Sequence, residues 1–317
     1  MGRSGLSRGA SQRRRSLSAA CLLIVAIAPA GCSVRRFAVD RVAGMLASPG
    51  TVWSGDDDPD LVGDALPFAL KTYESLLAET PDNPRLLLAT CRGFASYSAG
   101  WVEAEAERVE SADFEAARAE RERALGLHLR ARGYCLRELE RRLPGVAGAL
   151  AATPETALAR AGASDVELLY WSGVAWGSAV ALGLDRPELV ADLPAVRALF
   201  ARALELDPAF DRGAVHEAMI SIESVSELLG GSAERARAHY ARAIELCRGE
   251  RASPHVTFAR SVLVGAQDRR GFQDALERAL AVNLEAAPAD RLSNRLAQRR
   301  ARLLLARVDE LFFAEEE

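Results

Sequence analysis

The chain has 317 residues and a formal net charge of -4, and Lys71 is its only lysine. Hydrophobic residues make up 49% of it and charged residues 26%, which is ordinary for a folded globular protein and argues against wholesale disorder. The first 31 residues contain five arginines and no acidic residue, so their removal would leave a distinctly acidic protein. Because phosphate binding needs a clustered basic surface, we expect no nucleic-acid partner.

The N-terminus has the features of an export signal. Residues 1–16 are polar and basic, an apolar stretch runs from Leu17 to Ala30, and Gly31-Cys32 follows. The apolar stretch is too short for a membrane-spanning helix, which needs about 20 residues. The segment therefore predicts export followed by cleavage.

Cys32 is the predicted site of lipidation. A cysteine after small residues resembles the bacterial lipoprotein signal, in which that cysteine becomes the lipid-carrying first residue, although Pro29 stands where leucine is usual. Two alternatives stay open. One is ordinary cleavage nearby with Cys32 unmodified, and the other is a twin-arginine signal at Arg14-Arg15.

These features divide the chain into three parts. We expect a signal peptide at 1–31, a tether at 32–55 and a single all-helical domain at 56–317. The protein is expected to be periplasmic and lipid-anchored to a membrane, and Ser33 after the lipid cysteine favours the outer membrane over the inner one.

Beyond the tether, helical periodicity is nearly continuous and strand signals are nearly absent. Asp58-Pro59 predicts a cap followed by proline at the first helical position. An alternative interpretation of the aspartates at 56–60 is a calcium loop, but they lack the usual ligand order and the distant glutamate. Helices are expected at about 64–78, 85–109, 114–143, 165–182, 194–206, 212–229, 232–247, 253–267, 271–285 and 288–313, with one short helix in the connection 144–164.

A short phrase repeats along the chain. FARALEL at 200–206 returns as YARAIEL at 240–246, and LERAL follows at 276–280. An aromatic residue, then alanine and leucine at helical spacing, then proline at the turn, is typical of the second half of a tetratricopeptide repeat of about 34 residues. We therefore predict an all-α fold of degenerate tetratricopeptide-like helical hairpins in a compact superhelical array. Such arrays present a concave surface that binds peptides or proteins.

The sequence offers no evident catalytic or metal site. It has no glycine-rich phosphate loop and no G-x-S-x-G nucleophile motif. Apart from weak pairs such as His216-Glu217, the histidines have no ligand partner at the spacing of a helical metal pair, and we interpret them as structural or surface residues. They are His128, His216, His239 and His255. We expect a protein that is not an enzyme and that uses no metal or other cofactor.

Three cysteines, Cys91, Cys135 and Cys247, remain after the lipid cysteine. All three fall in helical patterns among apolar neighbours, where cysteine usually acts as a small buried hydrophobe. Their number is odd, so they cannot all pair with one another; a disulfide is possible but is not predicted.

The stretch Leu168–Leu182 is apolar all round and rich in glycine, alanine and serine. Because each glycine costs a helix about 1 kcal/mol relative to alanine, a compensating interaction is expected. One interpretation is a central helix, buried on every side, whose small residues allow close approach. The other is that Tyr170, Trp171 and Trp176 line an apolar cleft that binds a ligand, joined by Trp101 from another helix.

The last helix is amphipathic, with leucines on one side and arginines on the remainder. We favour a salt-bridged closing helix, and docking of a partner is the alternative. The arginines are Arg291, Arg295, Arg299, Arg300 and Arg302.

Several phrases of the chain, taken in order, resemble one known family. They are Cys32 after an export signal, Ser54–Leu61, Ala65–Lys71, Leu169–Gly177, Ala203–Pro208, Asn294–Ala301 and Asp309–Phe312. Together they resemble the T component of tetratricopeptide-repeat-associated TRAP transporters, the TatT family. The middle segment 104–163 is the least distinctive part.

The resemblance implies an all-helical lipoprotein that assists a TRAP system. Such systems are ion-gradient-driven and ATP-independent, with an extracytoplasmic solute-binding protein and a membrane permease. The implied partner is the cognate solute-binding protein, which would dock near a cleft or pore. The resemblance further implies a homotrimer around a pore and the passage or sequestration of a hydrophobic small ligand, with a lining role for Tyr170–Gly177.

Two other functions remain as alternatives. One is a tetratricopeptide lipoprotein scaffold for envelope protein assembly, which a gene neighbourhood of outer-membrane assembly genes would favour. The other is an enzyme such as a cell-wall hydrolase, for which the sequence shows no suitable set of carboxylates or nucleophile.

Overall fold

The computed structural model describes residues 51–313, and within this range the chain forms helices and turns without any β-strand. This confirms the predicted all-α class. The predicted signal peptide, Cys32 and the tether up to residue 50 lie outside the described residues. In the described range, no helix combines the length and the apolar character needed to cross a bilayer.

We number the helices α1 to α16 in chain order. They are α1 (Thr51–Ser54), α2 (Pro59–Glu79), α3 (Pro84–Tyr97), α4 (Glu103–Val109), α5 (Phe114–Arg142), α6 (Val146–Ala152), α7 (Pro154–Ala157), α8 (Val166–Leu182), α9 (Pro187–Val190), α10 (Leu193–Leu206), α11 (Phe210–Glu223), α12 (Ala233–Cys247), α13 (Ser253–Phe258), α14 (Arg269–Ala281), α15 (Arg291–Ala306) and α16 (Val308–Leu311). One π-helical turn, Ser98–Val102, joins α3 to α4, and a second, Ala259–Leu263, extends α13. Short 3-10 turns lie at Ala163–Asp165, Glu227–Leu229 and Pro288–Asp290.

The predicted cap at Asp58-Pro59 is confirmed, and α2 begins there, five residues before the helix expected at about 64–78. The Asp58 side chain accepts hydrogen bonds from the backbone N–H groups of Asp60 and Leu61, at 3.1 and 3.0 Å, and Pro59 is the first helical residue. The side-chain oxygen satisfies amide groups that have no partner inside the helix. The run of aspartates therefore begins a helix.

Several helices end earlier than predicted, including the one expected at 253–267, whose last π-helical turn ends at Leu263. The helix expected at 212–229 ends at Glu223, whose carbonyl accepts a hydrogen bond from the Ser232 amide at 2.8 Å. Gly231 fits this turn because it has no side chain, since a Cβ there would lie 1.8 Å from the Val225 carbonyl oxygen. The helix expected at 271–285 ends at Ala281.

The three cysteines do not all act as separate buried hydrophobes. Cys91 on α3 and Cys135 on α5 form a disulfide, with their Cα atoms 5.5 Å apart, whereas Cys247 is free and buried. The interpretation from sequence was therefore wrong for Cys91 and Cys135. The two positions are 44 residues apart, and only the packing of α3 on α5 brings them together.

The N-terminal core is built around α8, which packs against both α5 and α10. Leu169, Ala175 and Ala179 of α8 have no exposed surface. A Cβ at Gly173 would lie 2.7 Å from the Phe200 ring, so this glycine lets α10 approach closely. The close approach predicted for the small residues of this helix is confirmed.

A second hydrophobic core lies among α11–α15. From α10 to α15, each helix contacts the next one along the chain. The alternate helices α11, α13 and α15 also contact one another in order. Helix α11 contributes residues to both cores. Helix α4 faces α13 and α15 across the site described next.

Candidate functional site

A cavity of about 570 Å³ lies between the N-terminal and C-terminal helices. We call it the central cavity. Its lining combines apolar side chains with about as many polar or charged ones, and the exposed polar side chains form its rim. Its lining includes Ala99, Gly100, Trp101, Glu217, Ser253, Val256, Thr257, Leu296, Arg300 and Leu303.

Trp101 is held in the cavity wall from two sides. Its Nε1–H donates a hydrogen bond to the Pro59 carbonyl oxygen at 2.9 Å. Its ring lies against Gly63 of α2, where a Cβ would be 2.2 Å from Nε1. Trp101 belongs to the π-helical turn Ser98–Val102, and such single-turn insertions are frequent at functional sites.

Glu217 supplies a carboxyl group to the lining. The Ser253 hydroxyl donates to Glu217 Oε2 at 3.0 Å, and the Thr257 hydroxyl donates to Oε1 at 3.3 Å. Burial raises the pKa of Glu217, and the Ser253 hydrogen bond, the nearby Arg251 and the Thr257 hydrogen bond offset this only in part. A carboxyl with a raised pKa takes up a proton readily, so this group can donate as well as accept a hydrogen bond.

A network of ion pairs lies beside the cavity and joins the two halves of the molecule. Arg300 of α15 donates two hydrogen bonds of 2.6 Å to Glu107 of α4, and Arg260 donates a third at 2.9 Å. Burial alone would raise the pKa of Glu107, but the Arg300 and Arg260 charges outweigh it and lower the pKa. Other arginines of the last helix form ion pairs too, including Arg299 with Asp60 at 2.7 Å, as expected for a salt-bridged closing helix.

Glu103 lies one turn before Glu107 and accepts a hydrogen bond of 2.7 Å from His128 Nε2. Burial would raise the pKa of Glu103. The hydrogen bond and charge of His128, with Arg300 and Arg260, outweigh burial and lower that pKa to about 2. Glu103 and Glu217 are therefore buried carboxyl groups whose pKa values move in opposite directions.

A second, smaller cavity of about 310 Å³ lies between α2, α3 and α15. We call it the apolar chamber, since most of its lining is hydrophobic, including Val62, Leu66, Leu70 and Leu292. Trp101 lines this chamber as well as the central cavity.

An open groove of about 1200 Å³ lies on another face, along α10. We call it the Leu228 groove. Its lining includes Leu184, Pro187, Pro194, Leu228 and Leu229. The Leu228 side chain is 98% exposed, and an exposed apolar side chain beside other apolar residues is typical of an interaction surface.

The four aromatic residues predicted to bind a ligand fall into two places. Trp101 lines the central cavity and the apolar chamber. Tyr170, Trp171 and Trp176 belong to α8 and line neither of these cavities nor the Leu228 groove. The structure therefore does not bring Trp101 together with the other three, and a ligand role for them stays a prediction.

Trp176 is only 5% exposed and is part of the N-terminal core. Its Nε1–H donates to Asp192 Oδ2 at 2.8 Å, and the Arg132 guanidinium lies 4.5 Å from the centre of its ring. The Tyr170 ring contacts the Phe200 and Phe210 rings, with centroids 6.4 and 5.4 Å apart. These are the contacts of a central helix buried among its neighbours.

The histidines take structural positions. His128 is fully buried beside Glu103, and His255 accepts or donates a 2.7 Å hydrogen bond with the Tyr240 hydroxyl. His216 and His239 pair through their Nδ1 atoms at 2.8 Å. Within residues 51–313, no three His, Cys, Asp or Glu side chains are arranged to hold a metal ion.

Sequence reasoning missed Glu217, Ser253 and Thr257. Glu217 was visible only as the neighbour of His216, and the two hydroxyl residues lie 36 and 40 positions further along the chain. No local motif connects these three residues, because the packing of α13 on α11 alone brings them together.

Comparison with known proteins agrees with this architecture. The family model of the TRAP transporter T-component, TAtT, matches residues 55–312. An uncharacterized protein of Treponema pallidum (strain Nichols) is 31% identical to the chain over 313 residues, which span 93% of this chain and 95% of the relative. The matched range includes every helix from α2 to α16. The chain therefore belongs to the TRAP transporter T-component family.

Proposed function

We propose that this chain is a non-enzymatic, periplasmic, lipid-anchored accessory of a TRAP-type uptake system. It binds the cognate solute-binding protein and accepts a hydrophobic ligand in the central cavity. The observation that carries the proposal is a cavity of about 570 Å³ with apolar walls and an exposed polar rim in a member of the T-component family. The permease's ion gradient supplies the driving force.

The disulfide supports the proposed compartment. Disulfides persist in oxidising environments such as the bacterial periplasm and are rare in the cytosol. The Cys91–Cys135 bond therefore agrees with the export signal read from residues 1–31 and with an anchor at Cys32. An anchor on the outer membrane would keep the protein at the periplasmic face and raise its local concentration there, so that a weak complex suffices.

The packing of α10–α15 supports a degenerate tetratricopeptide-like array. The alanine at the fourth position of each repeated phrase is fully buried, at Ala203, Ala243 and Ala279. At Ala243 the preceding helix α11 approaches closely, since a Cβ at Gly213 would lie 3.2 Å from the Ala243 Cα. Consecutive helices contact one another, and so do α11 with α13 and α13 with α15. A stack of helical hairpins requires such contacts, so they support the proposed array.

The central cavity suits a small apolar ligand. Cavities that bind small molecules measure about 300–1,000 Å³, with hydrophobic walls and a few polar groups that fix orientation. Val256, Leu296 and Leu303 supply such walls, while Glu217 and Ser253 supply hydrogen-bonding groups. Trp101 is the aromatic part of the lining.

We place the docking surface at the rim of the central cavity, which consists of the exposed side chains Asp60, Arg108, Ser293 and Arg299. A partner bound there can exchange a ligand with the cavity without releasing it into water. A homotrimer with the cavities accessible from one face is part of the proposal, and sedimentation equilibrium of the full chain would test it.

Binding to the TRAP solute-binding protein encoded in the same genome tests the proposal. The variant Arg108→Glu reverses a rim charge that pairs with Glu105, and its side chain is 57% exposed. We expect at least tenfold weaker binding by surface plasmon resonance. Arg118→Glu is the matched control, because Arg118 is 66% exposed and pairs with Glu115 at the same helical spacing, away from the cavity.

Two results would count against this account. Absence of binding between the wild-type chain and the solute-binding protein would contradict the proposed partner. Loss of binding in Leu228→Ser, with Arg108→Glu unaffected, would move the docking surface to the Leu228 groove. The alternative of an envelope assembly scaffold finds no support in the family match.

A further inference from the structure

One side chain separates two cavities of different chemistry. Trp101 lines both the central cavity and the apolar chamber. On the opposite wall, Leu292 faces the chamber, and Leu296, one turn further along α15, faces the central cavity. The boundary between the two spaces therefore lies at the level of the Trp101 ring.

The Trp101 ring is fixed at this boundary. Its Nε1–H donates to the Pro59 carbonyl oxygen, and its ring covers Gly63, where a side chain would collide with it. The Tyr97 ring stacks beside it, with centroids 6.1 Å apart. A ring held in this way acts as a wall and not as a freely rotating side chain.

The two spaces offer different partners to a ligand. The central cavity contains Glu217, Ser253 and Thr257, which can hydrogen-bond a polar head group. The apolar chamber presents mainly Val62, Leu66 and Leu70. A ligand that used both would have a hydrogen-bonding head at one end and an unbranched apolar tail at the other.

We infer that Trp101 is the partition that sets how long an apolar tail the site accepts. With the indole in place, the tail ends at the ring. Removal of the indole joins the chamber to the cavity and admits a longer tail of the same kind. This inference rests on the ligand-binding part of the proposed function and assigns the specificity of that site to one residue.

A series of primary alcohols, from 1-hexanol to 1-dodecanol, tests the partition. Each methylene transferred from water to an apolar site strengthens binding about four-fold. By isothermal titration calorimetry, we expect the wild-type affinity to rise with chain length and then to level off. In Trp101→Ala and Trp101→Leu, the rise should continue for at least two further methylenes, so the longest alcohols bind about 16-fold more tightly than to wild type.

Two further variants make the test specific. Trp101→Phe retains an aromatic ring at the boundary and should level off near the wild-type length. The double variant Trp101→Leu with Leu66→Trp refills the chamber and should restore the wild-type limit. Trp101→Leu replaces one apolar side chain with another, so it remains informative if Trp101→Ala does not fold, which circular dichroism would show.

The possible outcomes distinguish failure of this inference from failure of the proposed ligand-binding function. If Trp101→Leu folds and levels off at the wild-type length, the partition is overturned while the ligand site stands. If no variant and no wild-type protein binds any alcohol, both the partition and the ligand-binding role are overturned. Binding to the solute-binding protein is measured separately, so its failure would contradict the docking role alone.

Discussion

Trp101 and Trp176 are two tryptophans in different environments. Both donate their Nε1–H, to the Pro59 carbonyl at 2.9 Å and to Asp192 at 2.8 Å. The Trp176 ring is sealed by the N-terminal core and by Arg132, whereas the Trp101 ring borders two cavities. A hydrogen-bonded indole N–H therefore does not distinguish a tryptophan of the core from one that lines a cavity. The two are distinguished by whether empty space borders the ring.

The two regions are also held together differently. The core around Trp176 contains the Cys91–Cys135 disulfide and close contacts between helices. The region around the central cavity is joined by Glu107 with Arg260 and Arg300, and by Glu103 with His128. We expect substitutions in the first region to affect mainly stability, and those in the second to affect mainly binding and pH dependence.

The largest expected effect is that of Trp176→Ala. It should lower the free energy of unfolding by about 3–5 kcal/mol, because a large side chain leaves an unfilled core. Urea denaturation followed by circular dichroism measures this change. If Trp101→Ala were found to cost as much, the distinction between core and wall would be wrong.

Removal of the disulfide tests the same core. Cys91→Ser with Cys135→Ser should lower the free energy of unfolding by about 2–4 kcal/mol, since the bond restricts a loop of 44 residues in the unfolded chain. Denaturation with and without a reducing agent provides the comparison. The double variant should not respond to the reducing agent, and an equal response in both proteins would contradict the assignment.

Glu103→Gln should change how the free energy of unfolding depends on pH in the acidic range. Because the folded state holds the pKa of Glu103 at about 2, below its usual 4.5, its ionised form contributes stability above pH 4.5. That contribution is lost as the pH falls from 4.5 toward 2. We expect a flatter profile in this range for the variant, measured by denaturant titration at each pH, and an unchanged slope would refute the ion-pair assignment.

Trp101→Phe removes one hydrogen-bond donor while keeping an aromatic ring. We expect a loss of about 1 kcal/mol in the free energy of unfolding, the usual net value of such a bond. Trp176→Phe is the matched control and loses the bond to Asp192. The alcohol length at which binding levels off should stay near the wild-type value in both variants. A shift in Trp176→Phe would show that this core residue also shapes the ligand site, and would contradict the distinction between the two environments.

Glu217→Gln should have the smallest effect and the opposite sign to Glu103→Gln. Burial raises the pKa of Glu217, so its protonated form favours folding, and this contribution is lost as the pH rises above the usual 4.5. The amide cannot ionise, so the variant should lose less stability as the pH increases from 4.5 to 8. A steeper decline in the variant would show that the ionised carboxylate stabilises the fold.

The sequence predicted helix positions well where local rules decide them. The capped start at Asp58 and the long helix from Phe114 depend on side chains within a few residues, and both were predicted. The ends at Glu223 and Ala281 were not, because turn contacts beyond each end determine them. The Cys91–Cys135 pairing depends on how two helices pack, which no local pattern encodes.

The candidate site was predictable only in part. Trp101 stood out as an aromatic residue among glycines and serines, and it does line a cavity. Tyr170 and Trp176 are also aromatic residues among small ones, but they do not line this cavity. Their helix is apolar on every side, so its sequence does not indicate which face would border a cleft. The sequence offered no reason to select Glu217, because the two hydroxyl groups that bind its carboxylate belong to α13, which is distant along the chain.

The central claim is that the cavity bordered by Trp101 binds an apolar ligand. Crystals of the protein soaked with 8-bromooctan-1-ol test it directly through an anomalous difference map. We expect a bromine peak inside the central cavity, on the Trp101 side, with the hydroxyl near Glu217 and Ser253. Bromine found only in the Leu228 groove, or at no site within the protein, would contradict the account.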